Sequence, residues 1–394
     1  MPECRGRTCP VAEFSFTTEQ QQLRAAVRKF CAESFDEPTV RRLMESDVTY
    51  DPAVWRRLGT ELGVLGMSVP EADGGVGGTL VDQAVAVEEF GAALSCGPLF
   101  GTVYLAIPAL VACGSGAARD ELLAALVDGE RTAAFAVNDS AGAFDPNVTV
   151  TAVGGSDGVV LTGTAARVVD AAAADVVLVA AKDSEGVSLY AVDTGDVQRT
   201  PLVTMDLTRP QADVTFSDSP ARLLAEPADA ERVITHALQV GAALLAVEQI
   251  GAAQHMLDLS VDYAKSRLQF GRQIGSFQAV KHRLADMLVD LEHARSAAYH
   301  AVWALTEGSD DPALAVSIAQ ATCSAAFSRI AADSIQVHGG IGFTWEHQAH
   351  LYFKRAATDA ALLGSAEQHR ARIADLVLDN AIVDEAPRVA VGIA

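Results

Sequence analysis

The period of the hydrophobic pattern changes twice along this 394-residue chain, and that change most constrains how the chain can fold. From Thr17 to about Gly129 apolar residues recur at helical spacing, as Leu23 and Val27 do. Short β-rich runs follow, and helical periodicity returns after Pro227. A doubly wound parallel sheet needs strands and helices to alternate throughout, so this order excludes that class.

The middle segment has the pattern of a small all-β domain, because Gly, Asp and Pro separate its β-rich runs. The predicted strands are Val148–Val153, Val159–Leu161, Val176–Ala180, Val187–Val192 and Val214–Phe216. The later apolar stripes, joined by short polar turns, predict a bundle of antiparallel helices. We therefore predict an α+β multi-domain fold with an N-terminal α-helical domain, a middle β-barrel or sandwich domain and a C-terminal four-helix bundle.

The same changes of pattern give the expected domain boundaries. Residues 1–13 form a loose tail, 14–130 the N-terminal α-helical domain, 131–226 the middle β domain and 227–384 the C-terminal bundle.

Composition narrows the possible partners and the compartment. The net charge of −22 argues against nucleic acid, whose phosphates repel an acidic surface, but an anionic small ligand needs only local positive charge. The six cysteines are scattered without a CxxC pair, which argues against a zinc site or a disulfide framework. The most apolar window, Ala237 to Ala246, is too short to span a membrane, and no signal peptide is evident. We expect a cytoplasmic protein without membrane insertion.

The densest basic cluster of this acidic chain lies between residues 265 and 283. Its members are Lys265, Arg267, Arg272, Lys281, His282 and Arg283. Two interpretations remain open at this point. The cluster is either a solvated helix face or a site for a pyrophosphate or CoA phosphate, since a guanidinium pairs with phosphate oxygens in a forked geometry.

A glycine-rich run follows His338 and extends to Gly342. Such glycines let a backbone approach a ligand closely or end a helix in a left-handed conformation. A dinucleotide-binding fingerprint requires a preceding strand, whereas a helical pattern precedes this run. We expect His338 to be a structural hydrogen-bonding residue, and we predict a loop for the other glycine run, Gly74 to Gly78.

Residues 263–278 and 336–343 closely resemble signature segments of the acyl-CoA dehydrogenase family. Residues 65–77 resemble the family's N-terminal loop motif, and the likeness covers nearly the whole chain. The resemblance implies FAD-dependent α,β-desaturation of an acyl-CoA thioester. It also implies FAD bound at a subunit interface and an electron-transferring flavoprotein as the expected acceptor.

In the family, a neighbouring subunit supplies groups around the pyrophosphate and adenine of FAD. The resemblance implies that this chain keeps those groups, which we call the donated set. The set consists of Arg267, Gln269, Phe270, Ile274, Gln278, Gln336, Gly339 and Gly340.

The catalytic glutamate that removes the α-proton is missing from both places where the family carries it. Leu363 and Gly241 occupy those positions, and neither can accept a proton. The flavin-contacting segment corresponds to residues 137–145 and departs from the family pattern. Arg167 replaces the tryptophan that packs near the flavin. The losses therefore lie on the face that would hold the chain's own flavin.

Three hypotheses follow from the resemblance. In the first, the chain is the non-catalytic subunit of an α2β2 acyl-CoA dehydrogenase, acting on a CoA thioester for which analogy suggests a sterol-derived group. In the second, it is a self-sufficient homotetramer with a relocated base, for which Glu248 is a weak candidate. Asp359 and Glu367 flank the other lost position, and we expect all three to be surface or salt-bridging carboxylates. In the third, it is a flavin-free binding or scaffold protein.

Overall fold

The computed structural model describes residues 15–379, apart from residues 47, 156–157 and 309. It confirms the predicted fold class, with helices, then a β domain, then a helical domain. The predicted tail at 1–13 and the last predicted bundle residues, 380–384, lie outside the described residues.

Six α-helices form the N-terminal domain. They are α1 (Thr18–Ser34), α2 (Glu37–Met44), α3 (Pro52–Thr60), α4 (Leu80–Ala92), α5 (Ile107–Ala112) and α6 (Ala117–Val127). Thr17 and Thr79 begin α1 and α4 with capping boxes, in which each threonine side chain bonds the backbone of the third helical residue. A π-helix at Leu99–Ala106 runs directly into α5 and was not predicted.

The middle domain is a barrel. Its strands are β1 (Ala133–Ala136), β2 (Asp139–Ser140), β3 (Ala143–Phe144), β4 (Val150–Gly155), β5 (Gly158–Val169), β6 (Val176–Lys182), β7 (Val187–Asp193), β8 (Gln198–Pro201) and β9 (Gln211–Ala225). The main sheet has the order β1-β6-β4-β5-β9-β7, β8 pairs with β9, and β7 also pairs with β6. This last pairing closes the sheet on itself, so the barrel alternative is confirmed.

The C-terminal domain contains three long helices and two short ones. They are α7 (Pro227–Ser266), α8 (Gln278–Glu307), α9 (Pro312–His338), α10 (Ala349–Asp359) and α11 (Ala366–Ala374). A small hairpin of β10 (Leu268–Gln269) and β11 (Arg272–Gln273) separates α7 from α8. Gly308 ends α8 with a φ of 63°, a left-handed conformation that glycine adopts without a steric penalty.

Helices α4 and α7 cross at a contact that only glycine permits. A Cβ atom on Gly251 would stand 1.9 Å from the carbonyl oxygen of Glu88, and one on Gly91 would stand 2.1 Å from the carbonyl oxygen of Glu248. The crossing joins the N-terminal and C-terminal domains and fixes the position of Glu248 along α7.

In the part of the chain that the structure describes, two helical segments, Pro227–Ser266 and Pro312–Phe343, are long and apolar enough to span a membrane, whereas we predicted no window of that length from the sequence. Their most apolar windows are 83% and 61% buried inside the protein, respectively. Core helices of a helical domain have this composition because they are surrounded by other helices.

Candidate active site

A cavity of about 680 Å³ lies between the barrel and the C-terminal helices, and we call it the barrel cavity. Thr164 and Arg167 contribute to its polar wall, and Leu105, Leu238 and Leu363 to its apolar wall. Its lining includes Leu363, Arg167 and parts of the segment 137–145, which the resemblance associates with the chain's own flavin.

The barrel residues that depart from the family pattern form part of the cavity wall. Strands β2 and β3 turn within the segment 137–145, and Asn138 and Asp145 of that segment border the cavity. Arg167 has a φ of 56°, and its backbone N–H donates to Oδ1 of Asp213 over 2.8 Å. The resemblance therefore places a strained, exposed arginine where the family has a tryptophan.

Leu363 lies in the loop between α10 and α11 and is only 1% exposed. Its carbonyl accepts the N–H of Gly142 over 3.1 Å and Nε2–H of His369 over 2.9 Å. A Cβ atom on Gly364 would stand 2.5 Å from the backbone of Ala141. The loop is thus clamped against the turn between β2 and β3, with an apolar side chain at the first glutamate position.

Gly241 lies within α7 and is buried. A Cβ atom there would stand 2.5 Å from Cδ2 of Leu105 and 3.3 Å from the carbonyl oxygen of Tyr104. A side chain at the second glutamate position would therefore require the Leu105 side chain to move.

Glu248, the weak candidate for a relocated base, is buried and ion-paired. Its carboxylate accepts from Arg209 at 2.5 and 2.7 Å and from Arg355 at 2.5 Å. Burial opposes ionisation, but the two guanidinium charges outweigh it and lower the pKa of Glu248 to about 2. A carboxylate with so low a pKa is a poor proton acceptor near neutral pH.

Glu248, Asp359 and Glu367 are surface or salt-bridging carboxylates, as predicted. The first two are buried in ion pairs, and the third lies at the surface. Glu248 and Asp359 are buried, and Oδ1 of Asp359 accepts from Nη1 of Arg209 over 2.6 Å. The side chain of Glu367 is 81% exposed and lies 3.7 Å from the guanidinium of Arg370.

The partners of these acids are not predicted by any local sequence pattern. Arg209 and Asp206 lie in the connection from β8 to β9, and Nε of Arg355 donates to Asp206 over 2.7 Å. Arg355 and Asp359 are four residues apart on α10, a spacing that predicts a shared helix face. Nothing in the local pattern around residue 206 indicates that this connection meets that face.

Part of the donated set lies on the β10–β11 hairpin and next to it. The N–H of Arg267 donates to the Tyr263 carbonyl over 2.8 Å, and the N–H of Ile274 donates to the Arg267 carbonyl over 2.9 Å. Gln269 pairs with Arg272 in the hairpin, and Phe270 at its tip is 91% exposed with a φ of 53°. Gln278 is the exposed first residue of α8.

The remaining members lie at the end of α9. Gln336 is exposed, and Gly339 ends the helix with a φ of 65° and an N–H that donates to the Ile335 carbonyl. This confirms the predicted helix end. Cβ atoms on Gly339 or Gly340 would meet no atom within 4 Å, so this backbone is open to a ligand. His338 is confirmed as a structural residue, because Nδ1 bonds the Ser334 carbonyl over 2.7 Å.

The structure brings both parts of the donated set to one end of the C-terminal domain. The rings of Tyr263 and His338 lie 4.6 Å apart, and the hydroxyls of Ser260 and Ser334 bond over 2.8 Å. This end of α7 is 25 residues beyond Gly241, which is about 38 Å along the helix axis. The donated set and the barrel cavity are therefore separate sites.

Exposed apolar side chains surround the donated set. Besides Phe270, Phe343 is 78% and Leu268 63% exposed. The cluster combines an exposed guanidinium from Arg267, open glycine backbone and exposed ring surfaces, which are groups that could hold the phosphates and rings of a dinucleotide. Within the described part of the chain, no group of three or more His, Cys, Asp or Glu residues could hold a metal ion.

A second cavity, of about 970 Å³, lies between the N-terminal helices and α7, α8 and α10. Two ion pairs lie in its wall: Arg24 with Glu88 at 2.9 Å, and Arg28 with Glu89 at 2.8 Å. No local sequence pattern predicts this cavity.

Comparisons with known proteins agree with the domain order of this chain. The sequence profile of the acyl-CoA dehydrogenase N-terminal domain matches residues 17–130, and that of the C-terminal domain matches residues 231–378. The acyl-CoA dehydrogenase IpdE2 of Mycolicibacterium smegmatis is 37% identical over 361 residues, covering 90% of this chain and 97% of the relative.

Two solved structures are also similar. The Tcur3481–Tcur3483 steroid ACAD has a TM-score of 0.82 and 30% identity, with 92% of this chain and 99% of that chain covered. The ChsE4–ChsE5 complex from Mycobacterium tuberculosis has a TM-score of 0.83 and 28% identity, with 95% of this chain and all of that chain covered.

Proposed function

Because this chain belongs to the acyl-CoA dehydrogenase family, we propose that it is a subunit of an FAD-dependent enzyme that desaturates an acyl-CoA thioester between its α and β carbons. We further propose that it completes the FAD site of a sister subunit in an α2β2 assembly and does not catalyse in its own barrel cavity.

One observation carries the proposal. Both glutamate positions lack a proton acceptor, while the donated set remains exposed at one end of the C-terminal domain, away from the barrel cavity. Removal of an α-proton needs a base held against a weakly acidic carbon. Leu363 cannot serve, and Leu105 fills the space beside Gly241. A chain that had lost flavin chemistry altogether would have no use for an intact donated set, so this set also argues against a scaffold.

FAD, when bound, supplies the hydride acceptor for the β-carbon. The residues of this chain would hold and shield it. The Arg267 guanidinium would pair with the pyrophosphate, and the backbone at Gly339 and Gly340 would approach it closely because no Cβ atom intervenes. Phe270 would exclude water from the interface with the sister subunit.

The alternative of a self-sufficient homotetramer requires a relocated base. The candidate Glu248 does not line the barrel cavity, and it is ion-paired with two arginines. Asp145 does border the cavity, and its Oδ1 accepts the N–H of Asn147 over 2.9 Å. The name of one similar structure refers to a steroid ACAD, so we propose a sterol-derived acyl group as the substrate class. We also propose an electron-transferring flavoprotein as the acceptor, as the family resemblance implies.

The test compares the purified chain alone with the chain co-expressed with a sister dehydrogenase that retains the glutamate. We expect a colourless lone chain without acyl-CoA dehydrogenase activity, and a yellow complex whose flavin bleaches when a steroid-side-chain acyl-CoA is added. A lone chain that binds a full complement of FAD and is reduced by acyl-CoA would overturn the proposal. A complex that bleaches with straight-chain but not steroid-type thioesters would overturn only the substrate class.

A further inference from the structure

A buried group of charged side chains has no role in the proposed function. It consists of Asp206, Arg209, Glu248, Arg355 and Asp359, and we call it the ion network. Each of these residues is at most 4% exposed. The network connects the β8–β9 connection of the barrel to α7 and α10, and α10 leads into the loop that carries Leu363.

The ion network contains more acidic than basic groups. Its three carboxyl groups face two guanidinium groups. A further buried acid, Asp170, lies near enough to Arg209 and Arg355 for their charges to interact with its own. Its Oδ2 accepts the N–H of Gly101 over 2.8 Å. A surplus negative charge in a buried site is costly, so one carboxyl group of such a cluster is favoured to hold a proton.

Hydrogen bonding distinguishes Asp359 from the other two acids. Both oxygens of Glu248 accept from arginine, and Oδ1 of Asp206 accepts the N–H of Thr208 over 2.9 Å while its Oδ2 pairs with Arg355. Oδ2 of Asp359 is buried and has no hydrogen-bond partner among the described residues. Asp359 is therefore the carboxyl group with a position for a proton.

The surroundings agree with this choice. Burial raises the pKa of Asp359 to about 7, because it outweighs the attraction of Arg209, and the negative charge of Glu248 acts in the same direction as burial. Other titratable groups also face the network: Asp170 near Arg209 and Arg355, Tyr352 near Arg355, Tyr104 beside Glu248, and Cys96 near Arg355 and Asp206. Burial raises the pKa of Tyr104, Tyr352 and Cys96, so they remain neutral near pH 7. Burial also raises the pKa of Asp170 to about 6, so the Asp359→Asn variant is needed to separate the titration of the two aspartates.

We propose that the ion network is a proton-dependent latch: while Asp359 holds a proton, α10 and the Leu363 loop stay locked to the barrel, and loss of the proton weakens that lock. The moving part would be the wall of the barrel cavity formed by Ala361, Leu362 and Leu363. This proposal concerns folding and motion of the single chain, so it holds whether or not the chain completes a partner's FAD site.

The test is amide hydrogen exchange of the full chain as a function of pH, with rates corrected for intrinsic exchange. The probes are the N–H groups of Ala360, Ala361 and Leu362, which bond the carbonyls of Ala356, Thr358 and Asp359. In the opened loop the pKa of Asp359 would return to its ordinary value. The opened state therefore becomes more populated as the pH rises towards the raised pKa of the closed state, and its population is constant above that pH. We expect protection to fall by up to about tenfold per pH unit between pH 5 and 7 and to change little above pH 7.

Two variants sharpen the test. Asp359→Asn cannot lose a proton, so its protection factors at these amides should not change between pH 5 and 8. Glu88→Gln is the matched control, because Glu88 is also buried and paired with two arginines, Arg24 and Arg295, but lies outside the network. It should reproduce the wild-type profile.

Wild-type protection factors that do not change between pH 5 and 7 would overturn the latch by themselves, even if Asp359→Asn failed to fold. An Asp359→Asn profile that parallels the wild type would also overturn it, because the titrating group would then be another residue.

Discussion

At the scale of single residues, Glu248 illustrates how the surroundings of a carboxylate can make it unsuited to act as a base. Arg209 and Arg355 lower its pKa to about 2, against about 4.3 for an ordinary glutamate. Its contribution to stability is thus complete above about pH 4.3 and is lost as the pH falls through 2. We expect the wild type to lose about 2 kcal/mol more than Glu248→Gln between pH 5 and pH 2.5, as measured by urea unfolding at each pH.

The control for this residue is Glu130→Gln. Glu130 also pairs with an arginine, Arg56, at 2.9 Å, but its side chain is 55% exposed, and exposed pairs contribute little. This variant should follow the wild-type pH profile. If Glu248→Gln lost stability in parallel with the wild type over this range, the arginines would not be holding the glutamate charge.

At the scale of elements, the crossing of α4 and α7 determines where the C-terminal domain meets the N-terminal helices. Gly251→Ala would place a methyl group 1.9 Å from the backbone oxygen of Glu88, so the helices must separate. We expect the free energy of unfolding to fall by about 3 kcal/mol, the upper range for overpacking a core. Gly114→Ala is the control, because a Cβ there meets no atom within 4 Å, and equal effects of the two changes would contradict the close-contact explanation.

The elements also show which parts of the fold the sequence could indicate. All five predicted strands lie in or overlap observed strands because their alternating or β-branched runs are local signals. The two-residue strands β2 and β3 were missed, since their position depends on contact with the Leu363 loop. The helical spacing of Leu284, Met287, Leu288 and Leu291 predicts one apolar face of α8, but Leu288 is 48% exposed.

At the scale of the whole molecule, the candidate site was predictable where it consists of contiguous motifs. The donated set could be located because residues 267–278 and 336–340 are two short segments, and α7 and α9 bring their ends together. The ion network could not be predicted in this way. Asp206 and Arg209 are distant in sequence from Glu248 and Asp359, and they meet only where the barrel packs against the C-terminal helices. Long-range pairing of charges leaves no periodic signal in a single sequence.

The separation of the two sites leads to a prediction about the assembled enzyme. If each heterodimer has one working flavin site, the α2β2 complex should contain half as many FAD molecules as chains. Arg267→Ala should then release FAD from the co-expressed complex, because an exposed guanidinium that pairs with a pyrophosphate has been removed. Lys265→Ala is the matched control, since Lys265 is also basic and exposed two residues away. The measurement is the FAD content and turnover of the purified complexes. Equal loss of FAD in both variants would indicate a general electrostatic effect. An unchanged FAD content in Arg267→Ala would show that this residue is not part of the flavin site.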